Sequence, residues 1–175
     1  MRIYVGLLRG INVGGRNKLP MADLRAICES AGLEKVRSYI QSGNLVFQSD
    51  KLEAVIAAKL EDEIESRFGF RPRVQILPAE DVSKAAREYP FPVNDHKLAH
   101  LLFLDAQPEE AAIARLKEVD YSPDEFEVGD RVVHLYFPNG VIGSRIDSGK
   151  IERILGVNGT ARNWRTVGKL IEMTS

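Results

Sequence analysis

One cysteine, Cys28, stands among the 175 residues, so no disulfide can form within the chain. It falls on the apolar face of a predicted helix, where a buried, inert thiol is expected. His96, His100 and His134 are the only histidines, with no cysteine cluster or carboxylate motif beside them, so no metal and no cofactor is expected. The net charge is −1, and no global basicity announces nucleic acid. Aromatic residues make up 7% of the chain, and the aromatic signature of an RNA-reading sheet is missing. No apolar run approaches the ~20 residues needed to cross a bilayer, and Ile3 to Leu8 is short for a signal peptide. These absences lead to the expectation of a cytoplasmic protein with no membrane partner.

What is present belongs to a globular chain, with 44% hydrophobic and 28% charged residues. Charge is unevenly placed. Asp105 to Asp130 holds nine acids against Arg115 and Lys117, and Arg145 to Lys169 holds six cations against Asp147 and Glu152. Solvated helix and loop faces account for such runs, as does a cationic C-terminal patch that joins a cationic loop elsewhere.

Periodicity predicts the element order. Ile3 to Leu8 reads as a buried strand. Pro20 opens a helix with Met21, Leu24, Ile27, Cys28 and Ala31 at helical spacing, and Gly32 stops it. Val36 to Ile40 and Leu45 to Phe47 read as strands around a tight turn at Ser42-Gly43. Asp50 and Glu53 suggest a capping box for a helix with the stripe Leu52, Val55, Ile56, Leu60, Ile64 and Phe68, ended by Gly69. Val74 to Leu77 follows as a strand. The order is β-α-β-β-α-β, the split βαβ or ferredoxin-like unit.

Prolines punctuate residues 79–97, where a short helix fits. The order then repeats. Leu98 to Leu104 is a strand, and Pro108 opens a helix with Ala112, Ile113, Leu116 and Val119. A hairpin turns at Gly129-Asp130. Asp147 or Ser148 caps a helix that Gly156 stops. A last helix near Asn163 carries Trp164, Val167, Leu170 and Ile171, so the repeat's final strand is expected to be missing or replaced. The predicted fold is α+β. It has two tandem ferredoxin-like halves, residues 1–78 and 98–175, each an antiparallel sheet with helices on one face, and 79–97 connects them.

Three segments carry candidate chemistry. Arg9 to Lys18 holds three glycines, two asparagines and three cations, with no acid. Glycine lets backbone N–H groups turn toward a bound group, and the cations add positive potential, which suits an anion. Gly10 and Gly15 have Walker A spacing, but Arg16-Asn17 stand where Lys and Ser/Thr are required, which excludes that route to NTP hydrolysis. Tyr39 to Asn44 could orient a ligand through Ser42 and Asn44, or could be a hairpin turn built from residues with turn-forming backbones. Gly159 to Thr166 places Arg162 and Arg165 around Trp164 at a helix start.

The motifs L-L-R-G-I-N-V-G-G-x-N-K, Y-I-Q-S-G-N and T-A-R-N-W-R-T-V together resemble the domain-of-unknown-function-1697 family, small and mainly bacterial proteins. The resemblance runs from Leu7 to Leu170. It implies a duplicated, ferredoxin-like α+β arrangement. It implies no activity, substrate or cofactor, so its matching residues mark a candidate site without roles.

The expected function is binding of a phosphorylated or otherwise anionic small ligand. Arg9, Asn12, Arg16 and Lys18 would neutralise and orient it, and Gly14 and Gly15 would offer backbone N–H groups. Ser42, Asn44, Arg162 and Arg165 would line the rim. A hydrolase or transferase acting on a phosphate-containing substrate is the alternative. It needs a base from the second half, with Asp147 or His134 as candidates. Nucleic-acid binding through a sheet face ranks below both.

Overall fold

In the computed structural model, which describes residues 1–175, β1 (Arg2–Arg9) is the central strand of the first half. Tyr4, Val5, Leu7 and Leu8 are all buried, so both faces of this strand are covered and it reads as a continuous apolar run. The chain continues through α1 (Met21–Ser30), β2 (Glu34–Tyr39), β3 (Asn44–Ser49), α2 (Glu53–Phe68) and β4 (Arg73–Pro78). These strands form one antiparallel sheet in the order β2-β3-β1-β4. Register puts Tyr4 opposite Phe47 and Leu8 opposite Val74. These side chains share one sheet face and pack with Leu24, Ile27 and Cys28 of α1 and Ile56, Leu60 and Ile64 of α2.

After α3 (Ala79–Arg87), the elements recur as β5 (Ala99–Leu104), α4 (Glu110–Lys117), β6 (Glu125–Val128), β7 (Val132–Tyr136), α5 (Ser148–Leu155) and β8 (Gly159–Asn163). They form a second antiparallel sheet in the matching order β6-β7-β5-β8. Leu102, Val133 and Ala161 lie side by side and pack with Ala112 and Leu116 of α4 and Ile151 and Leu155 of α5. The helix α6 (Trp164–Met173) follows. The fold is mixed α+β, with two four-stranded antiparallel sheets and six helices arranged as two tandem halves. The chain separates into two compact units, Met1–Ser83 with Lys169–Ser175, and Lys84–Gly168.

Four local expectations are corrected. The final strand of the second half is present as β8, not missing. Thr160 to Asn163 shows no apolar alternation, and pairing along β5 from Leu104–Gly159 to His100–Asn163 makes it a strand. Gly159 suits that approach, because a Cβ there would sit 2.8 Å from Leu102 Cδ1 and 3.1 Å from the Phe103 carbonyl oxygen. Second, α2 has no side-chain cap. Its N-cap is Leu52, and the Asp50 carboxylate instead meets the Met1 amine at 3.1 Å. Third, Leu52 and Val55 are exposed, so the buried stripe of α2 begins at Ile56.

Fourth, the β6–β7 turn centres on Asp130-Arg131 rather than Gly129-Asp130. Gly129 N–H donates to the Val132 carbonyl at 2.8 Å, and Arg131 takes the left-handed position with φ 53°. Other boundaries follow the predicted chemistry. Gly69 and Gly156 end α2 and α5 in left-handed conformation, and Asp147 caps α5 by accepting from Gly149 N–H at 3.0 Å.

Candidate functional site

The segment from Gly10 to Asn17 is a miniature hairpin. Asn12 N–H donates to the Asn17 carbonyl at 3.0 Å, and Arg16 N–H donates to the Val13 carbonyl at 2.9 Å. Gly14 and Gly15 form its two-residue tip with φ 56° and 74°, as a turn with two left-handed residues requires. Gly10, Asn12 and Asn17 are also left-handed, so five residues of this short segment have positive φ. Such backbone is costly for non-glycine residues and persists only when surrounding bonds over-determine it.

Asn12 supplies most of those bonds. Its Nδ2 donates to the Leu19 carbonyl at 2.9 Å and to the Gln41 carbonyl at 2.8 Å. Its Oδ1 accepts from Leu19 N–H at 2.8 Å. Asn17 Nδ2 donates to the Gly10 carbonyl at 3.0 Å. The glycine ribbon is thereby tied both to the start of α1 and to the tip of the β2–β3 hairpin.

That hairpin tip is equally constrained. Tyr39 pairs with Asn44, leaving Ile40 to Gly43 as the turn. Asn44 is fully buried, and its Nδ2 donates to the Tyr39 carbonyl at 3.0 Å and to Ser42 Oγ at 2.9 Å. Gly43 has φ 88°, and a Cβ there would lie 2.7 Å from Leu8 Cβ and 2.8 Å from Ile11 Cδ1. Ile40 is left-handed with φ 50°, unusual for a β-branched residue, and it is half exposed.

The candidate residues of the first unit therefore divide by what their polar atoms do. Asn12 and Asn44 brace the loops, and Ser42 accepts within the turn. Gly14 and Gly15 provide the conformation of the tip and are exposed. Arg16 and Lys18 are exposed, and neither side chain has a carboxylate partner. Arg9 is half-buried at the end of β1, with Arg73 as its cross-strand neighbour.

Two depressions border the ribbon. One, of about 460 Å³, is lined by Arg9, Gly10, Asn17, Glu61, Arg71 and Arg73. Its charge is partly neutralised internally. Arg71 meets Asp62 at 2.6 Å, Glu61 at 3.2 Å and Glu65 at 3.8 Å, and the Asp62 carboxylate leads in raising its pKa. Glu61 also accepts from Val74 N–H at 3.0 Å. The other depression, of about 450 Å³, has Leu19, Pro20 and Met21 beside Lys18 and Gln41, and no acid.

Arg162 and Arg165 belong to the second unit. Arg162 lies on β8, where burial pushes its pKa down to about 10, and its Nη1 donates to the Ala161 carbonyl at 2.9 Å. Arg165 is exposed in the first turn of α6. Asn163 caps that helix by accepting from Thr166 N–H at 2.9 Å. Trp164 packs on the Tyr89 ring, with centroids 5.2 Å apart.

Asp147 is the α5 cap, and His134 is buried on β7 against the Tyr89 ring, where burial lowers its pKa. Burial, with a smaller contribution from Glu29, pushes the Cys28 thiol up to about 12, so it stays protonated and inert.

Sequence reasoning missed Gln41 and Met21, which line the acid-free depression beside the ribbon. Gln41 lies within a quoted motif, and Met21 carries a core-helix signal. The left-handed backbone of Ile40 has no signature in residue type. Arg73 was recoverable in principle, because antiparallel pairing of β1 with β4 brings the two strand ends together.

A family model described as a protein of unknown function, DUF1697, matches residues 1–134. That span contains the ribbon and the Tyr39–Asn44 turn but not the Thr160–Val167 motif. No curated protein matches the chain. Among solved structures, the chain is similar to the conserved bacterial protein SP0830 from Streptococcus pneumoniae. The two are 29% identical, with 99% of each chain covered and a TM-score of 0.76, so the likeness extends through both halves.

Proposed function

The chain belongs to the DUF1697 family of proteins of unknown function, and from that premise we propose that it binds a small anionic ligand, phosphate-bearing in the first instance, at the Arg9–Lys18 ribbon. One observation carries the reading. A backbone with five left-handed residues is braced by three side-chain hydrogen bonds of Asn12, yet the Arg16 and Lys18 side chains it presents have no carboxylate partner. Bracing removes the ordering cost of binding in advance, and unpaired cations supply the attraction. An ordinary surface turn needs neither. Arg9 flanks the ribbon at the strand end. Gly14 and Gly15 keep the tip free of side chains, so backbone N–H groups can be approached closely.

We read each half as a ferredoxin-like unit, on the shared β-α-β-β-α-β order and the shared strand order. We assign the protein to the cytoplasm, on its single buried cysteine and the absence of any helix long and apolar enough to cross a membrane.

Thermal stabilisation across inorganic phosphate, sugar phosphates and nucleotides tests the binding. At least one phosphate-bearing compound should raise the melting temperature of the wild type. Arg16→Ala and Lys18→Ala should each lose a charge-assisted contact worth about 1.5–3 kcal/mol, roughly ten- to a hundredfold in affinity. A wild type unmoved by every anion, or variants shifted as much as the wild type, would overturn the proposal.

A further inference from the structure

We infer that the ligand of the ribbon is a purine nucleoside monophosphate, with its base in the depression formed by Leu19, Pro20, Met21 and Gln41 and its phosphate at Arg16 and Lys18. The inference rests on the anion reading above and goes on to name the ligand class.

Of the two depressions beside the ribbon, this one has no acid in its lining. The other contains Glu61, and three carboxylates already surround its Arg71. An anion entering there would displace existing ion pairs, whereas Lys18 has none to lose. Charge therefore favours the Lys18 side.

The lining also says what the rest of the ligand is. Pro20 and Met21 present a ring and a thioether, an apolar surface suited to a flat heterocycle. A bare phosphate or a sugar phosphate would leave this surface in water. The volume of about 450 Å³ lies within the roughly 300–1,000 Å³ usual for small-molecule sites.

One side chain is placed to read a base edge. The Gln41 carbonyl of the main chain is taken by Asn12, but its carboxamide is exposed and has no protein partner. A glutamine carboxamide offers the paired acceptor and donor that match N6 and N7 of adenine. Asn12 cannot play this part, because both ends of its amide are engaged. The cations without carboxylate partners are two residues apart in one short ribbon. This suits a single phosphate group better than the extended track that a polynucleotide requires.

Calorimetric titration of the full chain with AMP, ribose 5-phosphate and inorganic phosphate tests the inference. AMP should bind about tenfold or more tighter than ribose 5-phosphate. Gln41→Ala and Met21→Ala should each weaken AMP several-fold and leave ribose 5-phosphate unchanged. Gln41 is exposed, so its variant keeps the test valid if Met21→Ala disturbs packing. Equal affinity for AMP and ribose 5-phosphate would overturn the nucleotide assignment and leave anion binding standing. AMP binding that depends on Arg9 but not on Gln41 or Met21 would place the ligand in the other depression and also overturn it. Binding of none of the three would remove both readings.

Discussion

Between β1 and α1 the chain runs through Gly10–Pro20, and between β5 and α4 through Asp105–Glu109. The two links hold the same place in the same element order. The first is long and cationic and has five left-handed residues, and the second is short and acidic and has none. In the second link two polar side chains, though exposed, are taken up by backbone N–H groups. The Asp105 carboxylate accepts from Asn158 N–H at 3.1 Å, and the Gln107 side-chain oxygen accepts from Arg131 N–H at 2.6 Å. In the first link the asparagine side chains are hydrogen-bonded to the backbone and Arg16 and Lys18 have no carboxylate partner. A repeated scaffold thus sets where a loop begins and ends, while loop length and composition decide whether any chemistry faces solvent.

The sharpest way to break the comparison is at the two hairpin glycines. Gly43→Ala would force a Cβ into Leu8 and Ile11 at a φ of 88°, and about 3 kcal/mol of destabilisation is expected. Gly129 is not left-handed, and a Cβ there would lie 3.1 Å from His134 Nε2 and from Val132 Cγ1. Gly129→Ala should therefore cost about 1 kcal/mol. Urea denaturation of the two variants measures the difference, and equal midpoints would show that the first hairpin is no more constrained than the second.

Next come the braces. Asn12→Ala removes three hydrogen bonds and puts alanine at a left-handed position, for about 2–3 kcal/mol. Gln107→Ala removes one bond to Arg131 N–H, for about 1 kcal/mol. Hydrogen exchange at Leu19 N–H should accelerate in Asn12→Ala alone. Unchanged exchange there would mean that Asn12 does not hold the ribbon.

A smaller contrast should appear with pH. All three histidines lie in the unit Lys84–Gly168. Burial lowers the pKa of His100 and of His134 below the ordinary 6.5, so the native state resists their protonation while the unfolded chain accepts it. Stability from these groups is complete above pH 6.5 and is lost as pH falls through that value toward the depressed native pKa values. Lowering the pH from about 7.5 to about 5.5 should reduce amide protection factors, corrected for the intrinsic pH dependence of exchange, more in Lys84–Gly168 than in Met1–Ser83. An equal loss of protection across both units would contradict this assignment. The smallest effect is expected at Arg16 and Lys18 themselves. Removing either should change stability by no more than about 0.5 kcal/mol in ligand-free protein, because neither side chain has a partner to lose. A larger loss on thermal denaturation would make them structural.

Much of the architecture was legible in residue order. Helical spacing in Leu24, Ile27 and Cys28 and in Ile56, Leu60 and Ile64 marked the buried faces, and Gly69 and Gly156 marked helix ends. β8 was not legible, because Thr160, Ala161, Arg162 and Asn163 become a strand only through hydrogen bonds to β5. The Asp50–Glu53 box was a false signal, since the Asp50 carboxylate turns to the Met1 amine instead. At the candidate site, the density of glycine and cations was visible at once, but the division of labour within it was not. Arg16 and Asn12 look equally suited to a ligand on paper, and one faces solvent while the other is engaged by the fold.

Residue identity by itself determined where the cations, glycines and apolar stripes fall, because charge, missing side chains and helical or strand periodicity are local properties. It also determined family membership, through motifs that persist along the chain. Only the tertiary structure decided which polar groups remain available. Asn12 and Gln41 are 29 residues apart, and they meet because the sheet sets the β2–β3 hairpin tip beside the ribbon. Whether an amide is a brace or a contact depends on which partners fold within hydrogen-bond distance of it, and that distance is a property of the assembled sheet.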